Sequence, residues 1–304
     1  MTLAIGIDIG GTNLRLGVVD GSHIIHEIRF EANFSQICQK YSPEVAWRTI
    51  LETLKNAVST ITTNYPTVKS IGIGFPGFIE PSTGNIAQSP NLPGLKDVNL
   101  GTDLSKLIGL NVVVENDALT AAYGEYCLIG KPASGLIYLG LGTGVGGGLI
   151  LNGEPFKGQH GVAMEVGHII NQPNGRLCGC GNFGCMETYT SATGVSLSYF
   201  EATNKRYSAA DIANLADNGD LYAQGAYMIA GENLAQALAH ILKVIDVSQI
   251  VIGGGMSGAW HLMLAAFEAR MQKDLIPVLR DKAVVSISVA GDQAGMLGAG
   301  LLSM

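Results

Sequence analysis

Charge is scarce in this chain. Only 14% of its 304 residues are Asp, Glu, Lys or Arg, and 18 basic residues face 25 acidic ones. A net charge of −7 excludes a general electrostatic grip on nucleic acid. Backbone N–H groups still bind a small anion whatever the net charge. A hydrophobic fraction of 47% excludes disorder, and no low-complexity linker interrupts the chain. The opening residues carry no basic stretch and no small-residue cleavage site, so no signal peptide is expected. The one uncharged run long enough to cross a bilayer, residues 133–153, is crowded with glycine and alternates apolar with small residues. That pattern reads as strands, and no membrane partner is expected. Cysteine is also sparse and odd in number, five in all, with three of them at 178, 180 and 185. This excludes a disulfide framework and points to a metal site in a reducing cytoplasm.

What is present is an α/β pattern of a length that suits about two domains. Residues 3–31 read as three short strands turning at Gly10-Gly11-Thr12 and Asp20-Gly21. A helix over 44–64 shares Trp47, Leu51, Leu54, Val58 and Ile61 on one face. Strands at 68–75 and 111–115, a short helix over 101–108, and a helix from about Ala118 follow. A second hairpin, residues 136–151, has the shape of the first: strand, glycine-rich turn with a threonine, strand. This weak internal repeat suggests two halves on one plan. The expected domains are 1–117 with about 291–304, and 118–290. Beyond residue 187 the chain turns helical, with a stripe of Ala223, Tyr227, Ala230, Leu234, Leu238 and Ile241. A strand from 250 into Gly253-Gly254-Gly255, a helix over 260–275, a strand over 284–289 and a terminal helix complete it.

Asp8-Ile-Gly-Gly-Thr12 has glycines that let a backbone approach an anion, a hydroxyl, and a carboxylate able to orient a metal ion through water. It reads equally as a tight hairpin turn. Gly142-Thr143-Gly144 repeats the design. Neither turn fits the Walker or dinucleotide pattern. Gly254 and Gly255 leave room for a flat nucleotide group, or form an ordinary strand-to-helix turn. Asn116-Asp117 sets a carboxylate where a strand meets a helix. Such a group takes the proton of an attacking alcohol, or caps the helix. His168, Cys178, Cys180 and Cys185 offer four ligands and no open position, as structural zinc prefers. Glu165 and Glu187 bracket them and suit sugar hydroxyls, or are surface charge. Cys38 and Cys127 read as core, and the other histidines show no partner pattern.

Together these motifs, with Pro76-Gly77, Asn91 in Ser89-Pro-Asn-Leu-Pro-Gly, and Glu165-Val-Gly-His168, resemble the ROK family (repressor, open reading frame, kinase) of sugar kinases over nearly the whole chain. The resemblance implies two actin-like (ribonuclease H-like) α/β domains with a cleft. It also implies transfer of the γ-phosphate of ATP, with Mg²⁺, to the 6-hydroxyl of a hexose. By position it makes Asp117 the general base. Gly77, Asn91, Asn116, Asp117, Glu165, His168 and Glu187 become the sugar set. Asp8, Gly10, Gly11, Thr12, Asn13, Gly142, Thr143, Gly144, Gly254 and Gly255 become the ATP set, with Asp8 toward Mg²⁺. It further implies structural Zn²⁺, a cytoplasmic homodimer and no nucleic-acid partner. Thr190-Ser-Ala-Thr-Gly-Val looks like the family's glucokinases, and Gly158-Gln-His-Gly-Val-Ala somewhat like allose kinases. Glucose is the first expectation. N-acetylglucosamine, N-acetylmannosamine, allose and fructose are alternatives. A sugar-sensing repressor is not expected, since the first strand begins at Leu3 with no basic arm before it, and the retained Asp117 speaks against a non-catalytic sensor.

Overall fold

The computed structural model describes residues 2–10, 12–89 and 91–304. Strand β1 (Leu3–Ile9) is buried along almost its whole length, which its near-continuous apolar run requires. It pairs antiparallel with β2 (Asn13–Asp20), and β2 with β3 (His23–Glu31), an edge strand that is mostly exposed and carries Glu27, Arg29 and Glu31. Helix α1 (Phe34–Lys40) buries only Phe34, and so short an apolar signal was not legible. Helix α2 (Pro43–Asn64) opens with its proline in the first turn and buries Leu51, Leu54, Val58 and Ile61 as the periodicity expects. Then come β4 (Val68–Phe75), β5 (Phe78–Ile79), β6 (Ile86–Gln88) and α3 (Leu100–Ile108). Asn99 caps α3 by accepting the N–H of Thr102 at 2.8 Å, and Gly109 ends it at φ 72°. Strand β7 (Asn111–Asn116) runs directly into α4 (Asp117–Leu128).

The uncharged run 133–153 folds as the hairpin of β8 (Leu136–Leu141) and β9 (Val145–Leu151), followed by the short β10 (Glu154–Pro155). Among the described residues no helix is long and apolar enough to cross a membrane. After the cysteine loop come α5 (Glu187–Thr190), α6 (Ala192–Thr203), α7 (Ala209–Asp217) and α8 (Leu221–Ile245). Asp220 caps α8 by accepting the N–H groups of Tyr222 and Ala223, and the whole expected stripe of α8 is buried. Strand β11 (Gln249–Gly253), α9 (Trp260–Asp274), β12 (Val284–Ile287) and α10 (Ala294–Ser303) finish the chain.

The internal repeat is now a matter of topology. The first sheet has the order β3-β2-β1-β4-β7 and the second β10-β9-β8-β11-β12, strand for strand the same plan. In the first, β1–β4 and β4–β7 are parallel; in the second, β11–β12 are. The chain forms two compact units: Met1–Tyr138, Gly148–Ala163 and Val289–Met304 in one, Leu139–Gly147 and Met164–Ser288 in the other. This grouping differs from a division at residue 117, because α4 packs on α10 within the first unit.

That packing is backbone against backbone. A Cβ on Gly298 of α10 would overlap the carbonyl of Thr120, and one on Gly124 of α4 the carbonyl of Ala294. Gly6 of β1 and Gly72 of β4 likewise press on the carbonyls of Met296 and Ala299. Gly298→Ala is therefore expected to lower the melting temperature, since overpacking of this kind costs about 1–3 kcal/mol. Gly225→Ala, inside α8 where an added Cβ meets nothing within 4 Å, should raise it, by roughly 0.5–1 kcal/mol. Thermal unfolding followed by circular dichroism checks that the two shifts have opposite sign.

Candidate active site

Where β7 meets α4, the orphan N–H groups of the helix need an acceptor. Asn116 supplies it: its Oδ1 accepts from the N–H of Leu119 at 3.1 Å, and its Nδ2 donates to the Gly77 carbonyl at 3.3 Å. The capping role thus belongs to Asn116. Asp117 is the first helical residue, half-buried, with Oδ1 accepting the N–H of Ala118 at 2.9 Å. The Thr120 hydroxyl donates to the Asp117 carbonyl at 2.7 Å. Gly74 at the matching end of β4 makes the approach possible, since a Cβ there would stand 2.7 Å from Thr120 Oγ1. This is the carboxyl end of parallel strands, where α/β sheets collect ligands.

The same unit gathers the proline-rich loop. The Ser89 hydroxyl donates to the Pro76 carbonyl at 2.5 Å, tying the segment that carries exposed Asn91 to Pro76-Gly77. Gly77 is buried, and a Cβ on it would meet the Gln88 carbonyl at 2.8 Å. Ser89 was missed as a positioning group, although it stands in the motif that singled out Asn91. Tyr138 was missed as well. It is buried, and burial pushes its pKa up, with the carboxylates of Glu125, Asp117, Asp8 and Asp292 adding to the rise. Nothing in its local sequence marks it, because the carboxylates around it come from β1, α4 and the stretch before α10.

Asp8 is half-buried on β1 opposite Arg15 of β2. Burial pushes its pKa up, Arg15 opposes that, and Asp292 adds to it. Arg15 in turn holds Asp292, pairing with its carboxylate at 3.2 Å and donating to its carbonyl at 3.1 Å. The Gly10 N–H closes the hairpin on the Asn13 carbonyl at 2.8 Å, and in the second turn the Gly142 N–H closes on the Gly144 carbonyl at 2.9 Å. Those two N–H groups are consumed by the turns, so any anion contact falls to other groups there, such as the exposed Thr12, Asn13 and Thr143. Gly11 lies outside the described residues.

The second unit brings His168, Cys178, Cys180 and Cys185 together, with their ligand atoms all within 4.8 Å of one another. Cys180 Sγ lies 3.7 Å from Cys185 Sγ, and Cys178 Sγ 3.6 Å from His168 Nδ1. With metal–ligand bonds of about 2.0–2.3 Å, these spacings match the edges of a zinc tetrahedron, and the donor set is the soft one zinc prefers. Burial pushes the Cys178 thiol up to about 12 and raises Cys185 too. A divalent cation reverses this by taking the thiolates. The loop has little core of its own, since Leu177 and Phe183 are 65% and 55% exposed. Arg176 staples it to the helices, pairing with Glu201 at 2.6 Å, donating to the Thr188 carbonyl at 2.6 Å and stacking on Tyr189. No spacing rule pointed to Arg176.

With Nδ1 of His168 turned to the sulfurs, its Nε2 faces Glu165 Oε2 at 3.8 Å. Glu165 is the more open of the two glutamates, 42% exposed. Partial burial still pushes its pKa up, with His168 opposing and Glu187 adding. Glu187 begins α5 and bridges two features. Its Oε1 lies 3.4 Å from Cys178 Sγ, while Oε2 accepts the N–H of Val145 at 3.1 Å. The glycine turn is further held by the Ala192 N–H on the Gly142 carbonyl and the Thr193 hydroxyl on the Thr143 carbonyl, both 2.9 Å. Gly254, at φ 78°, presses on the backbone of Leu141, and Gly255 opens on clear space. Glu165, His168, Glu187, the three cysteines and the 142–145 turn are therefore one connected cluster.

Comparison with known proteins follows the same lines. The chain is 31% identical over 315 residues to a glucokinase of Halalkalibacterium halodurans, covering 98% of this chain and 94% of that protein. It is 32% identical over 313 residues to an N-acetyl-D-glucosamine kinase of Salmonella paratyphi B, covering 98% of each. A ROK family glucokinase from Streptomyces griseus, solved in complex with glucose and AMPPNP, matches with a TM-score of 0.81 at 30% identity over 99% of both chains. The ROK family model matches residues 4–304, and the chain belongs to the ROK family.

Proposed function

We propose that this chain is an ATP-dependent hexose kinase that phosphorylates the 6-hydroxyl, with glucose as its first substrate. The observation that carries this reading is the division of labour at the end of β7. Asn116 caps the helix through the Leu119 N–H, and the Asp117 carboxylate, with one oxygen on the Ala118 N–H, stands beside it at the carboxyl end of the parallel strands. In the reaction Asp117 accepts the proton of the sugar hydroxyl. The oxygen so exposed forms its bond to the γ-phosphorus as the bond to the ADP oxygen breaks. Asn91, Asn116, Glu165, His168 and Glu187 orient the sugar through its hydroxyls, with Gly77 beside them. Thr12, Asn13, Thr143, Gly144 and the Gly254-Gly255 turn serve the nucleotide. Mg²⁺ would neutralise charge on the phosphates, with Asp8 orienting its water shell. Zn²⁺ on His168, Cys178, Cys180 and Cys185 would fix the loop that presents Glu165 and Glu187. A cytoplasmic homodimer is part of the same reading.

Glucose is supported by the Halalkalibacterium and Streptomyces relatives. N-acetyl-D-glucosamine is the second reading, supported by the Salmonella relative. A coupled ADP-release assay across glucose, mannose, fructose, allose, N-acetylglucosamine and N-acetylmannosamine decides between them. Asp117→Asn is expected to lower kcat on the best sugar by about 10²–10⁴, while sugar affinity by calorimetry stays close to that of the unmodified chain. Normal turnover in that variant would remove Asp117 as the base.

Elemental analysis should find close to one zinc per chain. Stripping it with a chelator should lower the melting temperature and raise the KM for sugar, because the loop has Arg176 but little apolar core to hold it. A metal content near zero in active protein would retire the zinc assignment.

A further inference from the structure

Among the described residues the buried charged side chains are Glu115 and Glu125. Glu125 accepts backbone N–H groups from Val289 and Ala290, at 3.3 and 3.2 Å. Glu115 immediately precedes Asn116-Asp117. Its Oε2 meets Lys157 Nζ at 2.5 Å, and the two side chains are 7% and 45% exposed. Its Oε1 accepts the N–H of Asn116 at 2.9 Å.

Lys157 stands in the segment after β10, and that segment is itself anchored. The Phe156 N–H donates to the Leu149 carbonyl at 2.8 Å, and the Ala163 N–H to the Lys157 carbonyl at 3.3 Å. Gly161, at φ 69°, lies so close to the backbone of Ile79 that no Cβ fits. Ile79 is two residues from Gly77, whose carbonyl takes the side-chain N–H of Asn116. The contacts close a ring: Lys157 to Glu115, to Asn116, to Gly77, along β5 to Ile79, to Gly161, and back along the chain to Lys157.

We propose that Lys157 and Glu115 are positioning residues for the Asn116-Asp117 turn, setting the direction of the Asp117 carboxylate. In so apolar a chain a leucine would serve burial at position 115 at least as well, since a buried ion pair is a weak source of stability. What the pair supplies instead is geometry. One carboxylate oxygen of Glu115 accepts the peptide N–H of the residue before Asp117, and the other pairs with Lys157, tying the carboxylate to a separate segment. A displacement of about 1 Å at a reacting group costs on the order of a hundredfold in rate, so small shifts of this peptide are felt in kcat.

This inference rests on Asp117 being the base of the proposed reaction, and the experiment separates the two. With full-length protein and the sugar of highest turnover, Lys157→Met should lower kcat about ten- to a hundredfold and leave the KM for ATP unchanged. Lys157→Arg should restore most of the loss. The double variant E115L/K157M exchanges the pair for apolar side chains. It should keep the melting temperature, as such exchanges commonly do, and still show the loss of kcat. Hydrogen exchange needs no turnover. The amides of residues 116–119 should exchange faster in Lys157→Met and return to the original rate in Lys157→Arg. If the unmodified chain releases no ADP with any hexose, the kinase reading fails, and amide exchange alone decides whether the pair holds the turn. Unchanged exchange in Lys157→Met, or unmodified kcat in E115L/K157M, would overturn the positioning role.

Discussion

Helix α10 meets its neighbours with its backbone. Gly6, Gly72 and Gly124 on β1, β4 and α4, and Gly298 on α10 itself, bring backbone against backbone at four points of the contact. Interiors are packed densely enough that a single methyl at such a point forces a shift. The contact therefore fixes where α4 lies against the first sheet, and with it where β7 ends and Asp117 begins. Asp8 belongs to the same arrangement, since a Cβ on Gly295 would stand 3.5 Å from its carboxyl carbon. The last helix of the chain thus sets the two carboxylates assigned to chemistry in the first unit, although none of its own side chains is assigned a reactive role.

The second unit solves a different problem. Its cysteine loop has little apolar core and is held by Arg176 on one side and by the cluster of His168, Cys178, Cys180 and Cys185 on the other. Glu187 joins that loop to the glycine turn through the Val145 N–H. One carboxylate therefore senses both the order of the cysteine cluster and the shape of the turn. A Cβ on Gly144 would stand 2.5 Å from Glu187 Oε2, so the turn is glycine there for closeness to this side chain. The resemblance assigned Glu187 to the sugar. The geometry adds that it is also a strut.

Much of this was legible in the residues. The hairpins, the long helices and the duplicated plan follow from periodicity and glycine turns, and the α/β class and the family are borne out. The Cys/His cluster followed from spacing alone, because its cysteines lie within one loop. What was not legible shares one property: it depends on partners far apart in sequence. Lys157 and Glu115 have no common motif, and neither do Tyr138 and the carboxylates around it. Arg176 reaches Glu201 and Ser198 through helices whose placement no local pattern encodes. The Asn116-Asp117 ambiguity was of another kind. Both residues cap helices well, and only the hydrogen bond from the Leu119 N–H assigns the cap to Asn116.

The scarcity of charge gives these placements their meaning. A chain with 14% charged residues has little need of ion pairs for solubility or for its core, and desolvating a carboxylate is costly unless each oxygen finds a partner. Yet Glu115 and Glu125 are both buried, and both lie close in sequence to Asp117. Glu115 gives one oxygen to the Asn116 N–H at the strand-to-helix turn and the other to Lys157, while Glu125 accepts the Val289 and Ala290 N–H groups of the stretch entering α10. Hydrophobic side chains fill space without direction, whereas a carboxylate accepting an N–H fixes an orientation. The two buried carboxylates therefore supply direction where the sheet and helices supply only proximity, which is what a general base at a strand end requires.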